Sequence, residues 1–118
     1  ELFRLKHFDV AIIDEATQIL EPQLLGILCA RGEDGKDAID KFVLIGDHKQ
    51  LPAVVQQNTE QSAIYDESLL SIGLANLKDS LFERLYRNCT ATVHRSYDML
   101  CRQGRMHPEV ALFANRAF

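Results

Sequence analysis

The stretch Val10-Ala11-Ile12-Ile13-Asp14-Glu15-Ala16-Thr17-Gln18 decides the fold, because an unbroken apolar run ends on two adjacent carboxylates. Consecutive apolar, mostly β-branched residues suit a strand buried on both faces, the pattern of a parallel sheet covered by helices. Successive side chains on a strand point to opposite faces, so Asp14 and Glu15 can take different tasks as the chain leaves the sheet. In open α/β sheets ligands sit beyond the carboxyl ends of the strands, where this pair emerges. One carboxylate can hold a hydrated magnesium ion while its neighbour polarises an attacking water. The same pair also suits a solvated helix start, since acids favour that position.

A second apolar run, Phe42-Val43-Leu44-Ile45, ends in Gly46-Asp47. Between the two runs, Glu21-Pro22 opens a segment through Leu28 whose early proline and apolar spacing predict a helix. The result is a strand, helix, strand unit. Gly32 to Asp40, with two glycines and four acids, predicts an exposed loop. Val54 to about Asn76 carries weak signals and reads as irregular helix. Asp79-Ser80 marks a helix start, followed by an apolar stripe of Leu81, Phe82, Leu85 and Tyr86 that reads as ordinary core packing. A third strand is expected around Tyr97 to Leu100, then a turn near Gly104 and a short helix from Pro108.

Composition bounds the function. The 118 residues are 47% hydrophobic and 25% charged, enough for one modest core and free of disordered bias. A net charge of −4 argues against a globally basic nucleic-acid coat and leaves a local groove for single strands open. Cys29, Cys89 and Cys101 are odd in number and widely spaced, which suggests neither a disulfide framework nor a zinc site and fits a reducing, intracellular setting, cytoplasmic or nuclear. No apolar run approaches the roughly 20 residues that span a bilayer, and no signal-peptide pattern is present, so a soluble protein without membrane partners is expected.

Two further clusters carry chemistry. In Gly46-Asp47-His48-Lys49-Gln50-Leu51-Pro52, glycine lets the backbone turn off the strand and proline stiffens the exit. Gln50 could reach a terminal phosphate or the water attacking it, and Asp47 could orient Gln50 or join a metal's outer shell. A Gly-Asp turn is equally a common structural device, and His48 and Lys49 read as solvent-facing. In Gln103-Gly104-Arg105-Met106-His107-Pro108, Arg105 offers a planar, always-charged fork suited to a triphosphate; a surface salt bridge or carbonyl cap is its bland alternative. Arg95, Arg102, Arg105 and Arg116 outnumber Asp98 and Glu109 around it. His107 beside Pro108 reads as a helix-start or packing residue.

Taken in order, DEATQ after an apolar strand, GDHKQLP after a second, and QGRMHP before an aromatic-bearing helix closely resemble the superfamily 1 helicases. Within them they resemble the 5′-to-3′ branch that includes the RNA helicase of nonsense-mediated decay and the flap-processing replication helicase-nuclease. The resemblance runs from Phe8 to Phe118 and includes Ser80-Leu81-Phe82-Glu83-Arg84-Leu85. It implies an α/β fold, part of a RecA-like P-loop NTPase domain with a mostly parallel sheet flanked by helices. It implies an ATP-dependent helicase using ATP and Mg2+. Asp14 would bind magnesium, through water, and Glu15 would be the catalytic base, with Gln18 in the coupling network. Gln50 and Arg105 would contact the terminal phosphate, and Asp47 and Gln103 would lie among the nucleotide-contacting residues. Single-stranded DNA or RNA would be the partner.

The chain departs from the family pattern at Gly104, where an aromatic usually stacks on the nucleotide base, and at Ala53, where a second proline often stands. A phosphate-cradling GxxxxGK[ST] is also missing: Gly35-Lys36 is followed by Asp37, and Ala30 occupies the first glycine's place. The resemblance thus implies that residues 1–118 are a single fragment, the latter half of the first RecA-like motor domain. The rest of the parent helicase would complete the ATP site, and the fragment alone should not turn over ATP at a helicase rate. A metal-dependent nuclease built on Asp14, Glu15 and Asp47, and a non-catalytic interaction module for nucleic acid or protein, are the alternatives.

Overall fold

In a computed structural model, residues 6–91 and 96–117 of the protein are described. Two apolar runs become neighbouring parallel strands, β1 (Phe8–Ile13) and β2 (Ile39–Leu44), with Phe8 opposite Ile39 and Ile13 opposite Leu44. Parallel neighbours require a crossover. It is supplied by a short 3-10 turn, Ala16–Gln18, and helix α1, Glu21–Leu28, which starts with the expected Pro22 in its first turn. The backbone N–H of Leu20 donates to the Gln23 side chain at 3.1 Å, satisfying a donor at the helix start.

Strand β2 begins three residues earlier than the apolar run, at Ile39, so Asp40 and Lys41 belong to the strand and the expected loop ends sooner. Both polar side chains are exposed, which is why an apolar pattern alone stops short of them. Arg31 and Asp37 meet across the tip of that loop, closed by Gly32 N–H donating to the Lys36 carbonyl at 2.9 Å.

The weakly patterned middle holds two short helices, α2 (Thr59–Ser62) and α3 (Glu67–Ser71). Each exists because its cap does. Asn58 accepts from Gln61 N–H at 2.8 Å while Gln61 returns a bond to Asn58 N–H at 3.1 Å. Asp66 accepts from the N–H groups of Ser68 and Leu69, and the Ser68 hydroxyl bond, foremost, holds its carboxyl below the usual carboxylate range. Gly73 ends α3 with φ of 82°, and Leu74 N–H reaches back to the Leu69 carbonyl at 3.0 Å.

Helix α4 spans Leu81–Ala91 and α5 spans Pro108–Ala117. Ser80 and Glu83 exchange bonds of 3.2 Å as a capping box at the start of α4. Of the predicted stripe, Leu81 is buried and Phe82, Leu85 and Tyr86 are half-buried. The third strand expected over Tyr97 to Leu100 is absent: that stretch is exposed and irregular, and no strand lies beside it among the described residues to accept its ladder.

Helices α1 and α4 are joined by a buried ion pair, Glu21 with Arg84, whose side chains are 4% and 11% exposed. Arg84 grips both carboxylate oxygens, at 2.9 and 2.5 Å, and donates a third bond to the Ile72 carbonyl at 3.0 Å. The hydrogen bond to Glu21 raises the guanidinium's pKa against the opposing effect of burial. Leu24, Leu74 and Leu81 are buried with the pair. The sheet itself is not closed off. Val10 is 49% exposed, Ile12 69% and Phe42 46%, so the expectation of strands buried on both faces is not met within this chain. A two-stranded sheet has too few layers around it to cover both faces. No helix among the described residues is long and apolar enough to cross a membrane.

Candidate active site

The register of the sheet places the first two clusters side by side. Because Ile13 lies opposite Leu44, Asp14-Glu15 and Gly46-Asp47 leave the sheet together at its carboxyl-terminal end. The join is tight. Ala16 N–H donates to the Ile45 carbonyl at 2.8 Å, and Ile45 N–H donates to the Ile13 carbonyl at 2.9 Å. A Cβ on Gly46 would sit 2.9 Å from Thr17 Cγ2 and 3.2 Å from Thr17 N, so only glycine lets the second loop pass this close to the first. Thr17 is buried there, and its hydroxyl has no hydrogen-bond partner among the described residues.

Glu15 has φ of 53° and ψ of 35°, the left-handed region; it is the sole non-glycine residue with positive φ among the described residues. A non-glycine residue there is strained by roughly 1–3 kcal/mol, and such strain concentrates at functional sites. Two local bonds hold the conformation. Asp14 Oδ1 accepts from Glu15 N–H at 2.9 Å, and Gln18 Nε2 donates to Glu15 Oε2 at 3.2 Å. The family resemblance put Gln18 in the coupling network; its bond to Glu15 and the strain at Glu15 have no one-dimensional signal.

Asp47 organises the second loop. It accepts from Lys49 N–H at 2.9 Å and, loosely, from Gln50 Nε2 at 3.4 Å, while Gln50 N–H closes the turn on the Asp47 carbonyl at 3.1 Å. Asp47 and Gln50 are thus the two ends of one turn. His48 is exposed, as expected of a solvent-facing loop residue, and in addition its ring stacks on Tyr86 of α4 with centroids 4.6 Å apart. Sequence spacing cannot reveal that contact, which spans two distant segments.

Among the described residues, Asp14, Glu15 and Asp47 form no ion pair with a lysine, arginine or histidine. Exposed carboxylates without a cationic partner are hard oxygen donors of the kind magnesium takes, but the three do not converge: among the described residues only His7, Asp9 and Asp40 bring their ligand atoms within 4.8 Å of one another.

The third cluster is not drawn into this arrangement. Arg105 is exposed, and among the described residues it is paired with none of these acids. Gln103 is occupied locally: Met106 N–H donates to its Oε1 at 2.8 Å, and its Nε2 donates to the Met106 carbonyl at 3.2 Å. His107 Nδ1 accepts weakly from Glu109 N–H at 3.4 Å, and the His107 carbonyl accepts from Val110 and Ala111, which agrees with a helix-start residue. A Cβ on Gly104 would meet nothing within 4 Å, so packing does not require glycine there. Arg95 lies outside the described residues.

One grouping escaped sequence reading. At the other end of the strands, His7, Asp9 and Asp40 converge with ligand atoms within 4.8 Å, and His7 Nε2 lies 3.0 Å from Asp40 Oδ1. All three are exposed, and the period-two alternation that brings His7 and Asp9 to one face is visible only once the pairing with β2 is known.

Comparison with known proteins finds helicase relatives. Residues 1–58 match the AAA domain family. The chain is 34% identical over 116 residues to the DNA replication ATP-dependent helicase/nuclease DNA2 of Gallus gallus, covering 98% of this chain and 9% of that protein. It is 36% identical over 111 residues to the probable helicase MAGATAMA 3 of Arabidopsis thaliana, covering 94% of this chain and 11% of that protein. It is also 31% identical along its full 118 residues to an uncharacterised ATP-dependent helicase of Methanocaldococcus jannaschii, of which it spans 14%. The chain thus spans about a tenth of the length of the curated relatives it matches. No solved structure matches it.

Proposed function

Starting from a chain that is a superfamily 1 helicase-like protein of the P-loop NTPase class, we propose that it forms part of the ATP-hydrolysing site of an ATP-dependent helicase. The observation that carries this reading is the parallel register that sets the cation-free Asp14 and Glu15 beside the Asp47–Gln50 turn at one end of the sheet. In this reading residues 1–118 are the latter half of the first RecA-like domain, and the remainder of a longer protein supplies the phosphate-cradling loop and the second motor domain. The open apolar faces of β1 and β2 support it, since such strands belong in the middle of a wider sheet.

Each side chain has a task that follows from its place. Asp14, an acid turned back on its own backbone at the strand end, would anchor Mg2+ through a water. The ion, when bound, would neutralise charge on the phosphates of ATP. Glu15, held out by its left-handed backbone and steadied by Gln18, would orient the attacking water and take its proton. Gln50, loosely tethered to Asp47, is free to exchange that bond for the terminal phosphate. Arg105, unengaged by any acid of the site, would bring positive charge to the same phosphate once the cleft closes. Gln103 would act by shaping the turn that presents Arg105. Opening and closing that cleft would move the protein along single-stranded DNA or RNA inside the cell. No observation favours the nuclease or non-catalytic alternatives.

The test is phosphate release by the longer protein in Mg2+ and ATP, with and without a single-stranded oligonucleotide. Hydrolysis that depends on Mg2+ and rises on adding the strand is expected. Cleavage of the strand without ATP, or no hydrolysis at all, would overturn the reading.

A further inference from the structure

A single tyrosine ring touches both the loop that carries Gln50 and the segment that leads to Arg105. His48 stacks on Tyr86 with ring centroids 4.6 Å apart and planes inclined by 26°. Tyr86 meets Tyr97 edge-on, 5.5 Å away at 79°. On its own helix, Tyr86 lies 6.3 Å from Phe82 with nearly parallel rings, inclined by 12°. These distances and angles are those of favourable stacked and edge-to-face aromatic pairs.

The loop has little else to hold it. Among the described residues the hydrogen bonds of Asp47 to Pro52 all close on Asp47, within the loop itself. Past Gln50, Leu51 is 86% exposed, so apolar packing does not seat it either. Helix α4, by contrast, is a rigid support: the Ser80–Glu83 capping box fixes its start and the buried Arg84–Glu21 pair ties it to α1. The stack on Tyr86 is thus the contact that joins this loop to the braced helix.

We propose that Tyr86 is a positioning residue that acts through His48: its ring seats the Asp47–Gln50 turn on α4 and sets the reach of Gln50 toward the terminal phosphate. The edge contact with Tyr97 brings the segment that precedes Gln103 and Arg105 against the same ring. The inference rests on the reading of Gln50 given above. Neither Tyr86 nor His48 touches the reacting atoms in it.

The experiment uses the longer protein, with the variants Tyr86→Leu, Tyr86→Phe and His48→Ala. Turnover number and KM for ATP are measured at saturating single-stranded oligonucleotide, together with the ring-proton resonances of isotope-labelled histidine. Displacing a group by about 1 Å can cost up to about a hundredfold in rate, so a loosened turn should cost about tenfold. Tyr86→Leu and His48→Ala are therefore expected to lower turnover about tenfold with KM changed by less than about twofold, the mark of a group that matters in the transition state. Tyr86→Phe keeps the ring and should keep both constants. The His48 resonances should be shifted upfield by the Tyr86 ring in the wild type and in Tyr86→Phe, and should lose that shift in Tyr86→Leu. If Tyr86→Leu fails to fold, His48→Ala, altered only at an exposed loop residue, decides the kinetic part. Turnover within about twofold of wild type in His48→Ala, equal damage in Tyr86→Phe and Tyr86→Leu, or a His48 spectrum indifferent to Tyr86 would each overturn the role. Absence of ATP turnover in the wild type would instead bring down the reading of the site, and the positioning role with it.

Discussion

Glu15→Gln, made in the longer protein, is expected to lower ATP turnover by about 10²- to 10⁴-fold while ATP still binds, the range typical for loss of a positioned general base. The amide is nearly isosteric with the carboxylate and its oxygen can keep the bond from Gln18, now 3.2 Å long. What it cannot do is accept the proton of the attacking water. Backbone geometry should survive as well, because the left-handed conformation at Glu15 is held by the Asp14 carboxylate accepting Glu15 N–H at 2.9 Å, a bond the substitution leaves in place. Nucleotide affinity and hydrolysis should therefore separate, as measured by binding of a fluorescent ATP analogue and by phosphate release on the same sample. Turnover near the wild-type rate would exclude Glu15 as the base.

The second large effect is on stability. Arg84→Ala should destabilise the domain by about 3–5 kcal/mol, the usual consequence of removing one partner of a buried ion pair. Its origin is the stranded partner: Glu21 is 4% exposed at its side chain and loses both bonds to the guanidinium. The Ile72 carbonyl also loses its donor. Replacing both members with apolar residues, Glu21→Leu with Arg84→Met, should recover much of the loss, because no charge is then left buried without a partner. Denaturant unfolding of the wild type and the variants checks the ordering. If the single variant is as stable as the double, the pair does not carry the join between α1 and α4.

Local chemistry was legible in the sequence where it was local in the chain. The two apolar runs, the early proline of α1, and the Ser80 start of α4 each follow from residues within a few positions of one another, and the structure has all of them. Strand β2 began earlier than its apolar run because Asp40 and Lys41 can occupy a strand whose side chains meet solvent. The stretch Tyr97 to Leu100 failed as a strand for the opposite reason: its residues suit one, but a strand needs a neighbour, and composition cannot say whether a neighbour is there. Burial of β1 and β2 on both faces was likewise a statement about surrounding layers and not about the strands themselves.

The candidate site divides along the same line. Asp14, Glu15, Gln18, Asp47 and Gln50 were named from the chain, and the register of two parallel strands places the two loops that carry them at the same end of the sheet. Arg105 and Gln103 were named in the same way, but nothing within the described residues draws them to the acids. The strain at Glu15, the unpaired Thr17 hydroxyl beneath Gly46, the Glu21–Arg84 pair and the stack of His48 on Tyr86 all depend on contacts between distant segments. No periodicity encodes them.

The most direct measurement of the central claim is a structure of the longer protein with Mg2+ and a non-hydrolysable ATP analogue. The account predicts Asp14 in the outer coordination sphere of the ion, the Glu15 carboxylate within about 3 Å of a water aligned with the terminal phosphate, and Gln50 within hydrogen-bond reach of that phosphate. A nucleotide bound elsewhere, with Asp14 and Glu15 still facing open solvent, would contradict it.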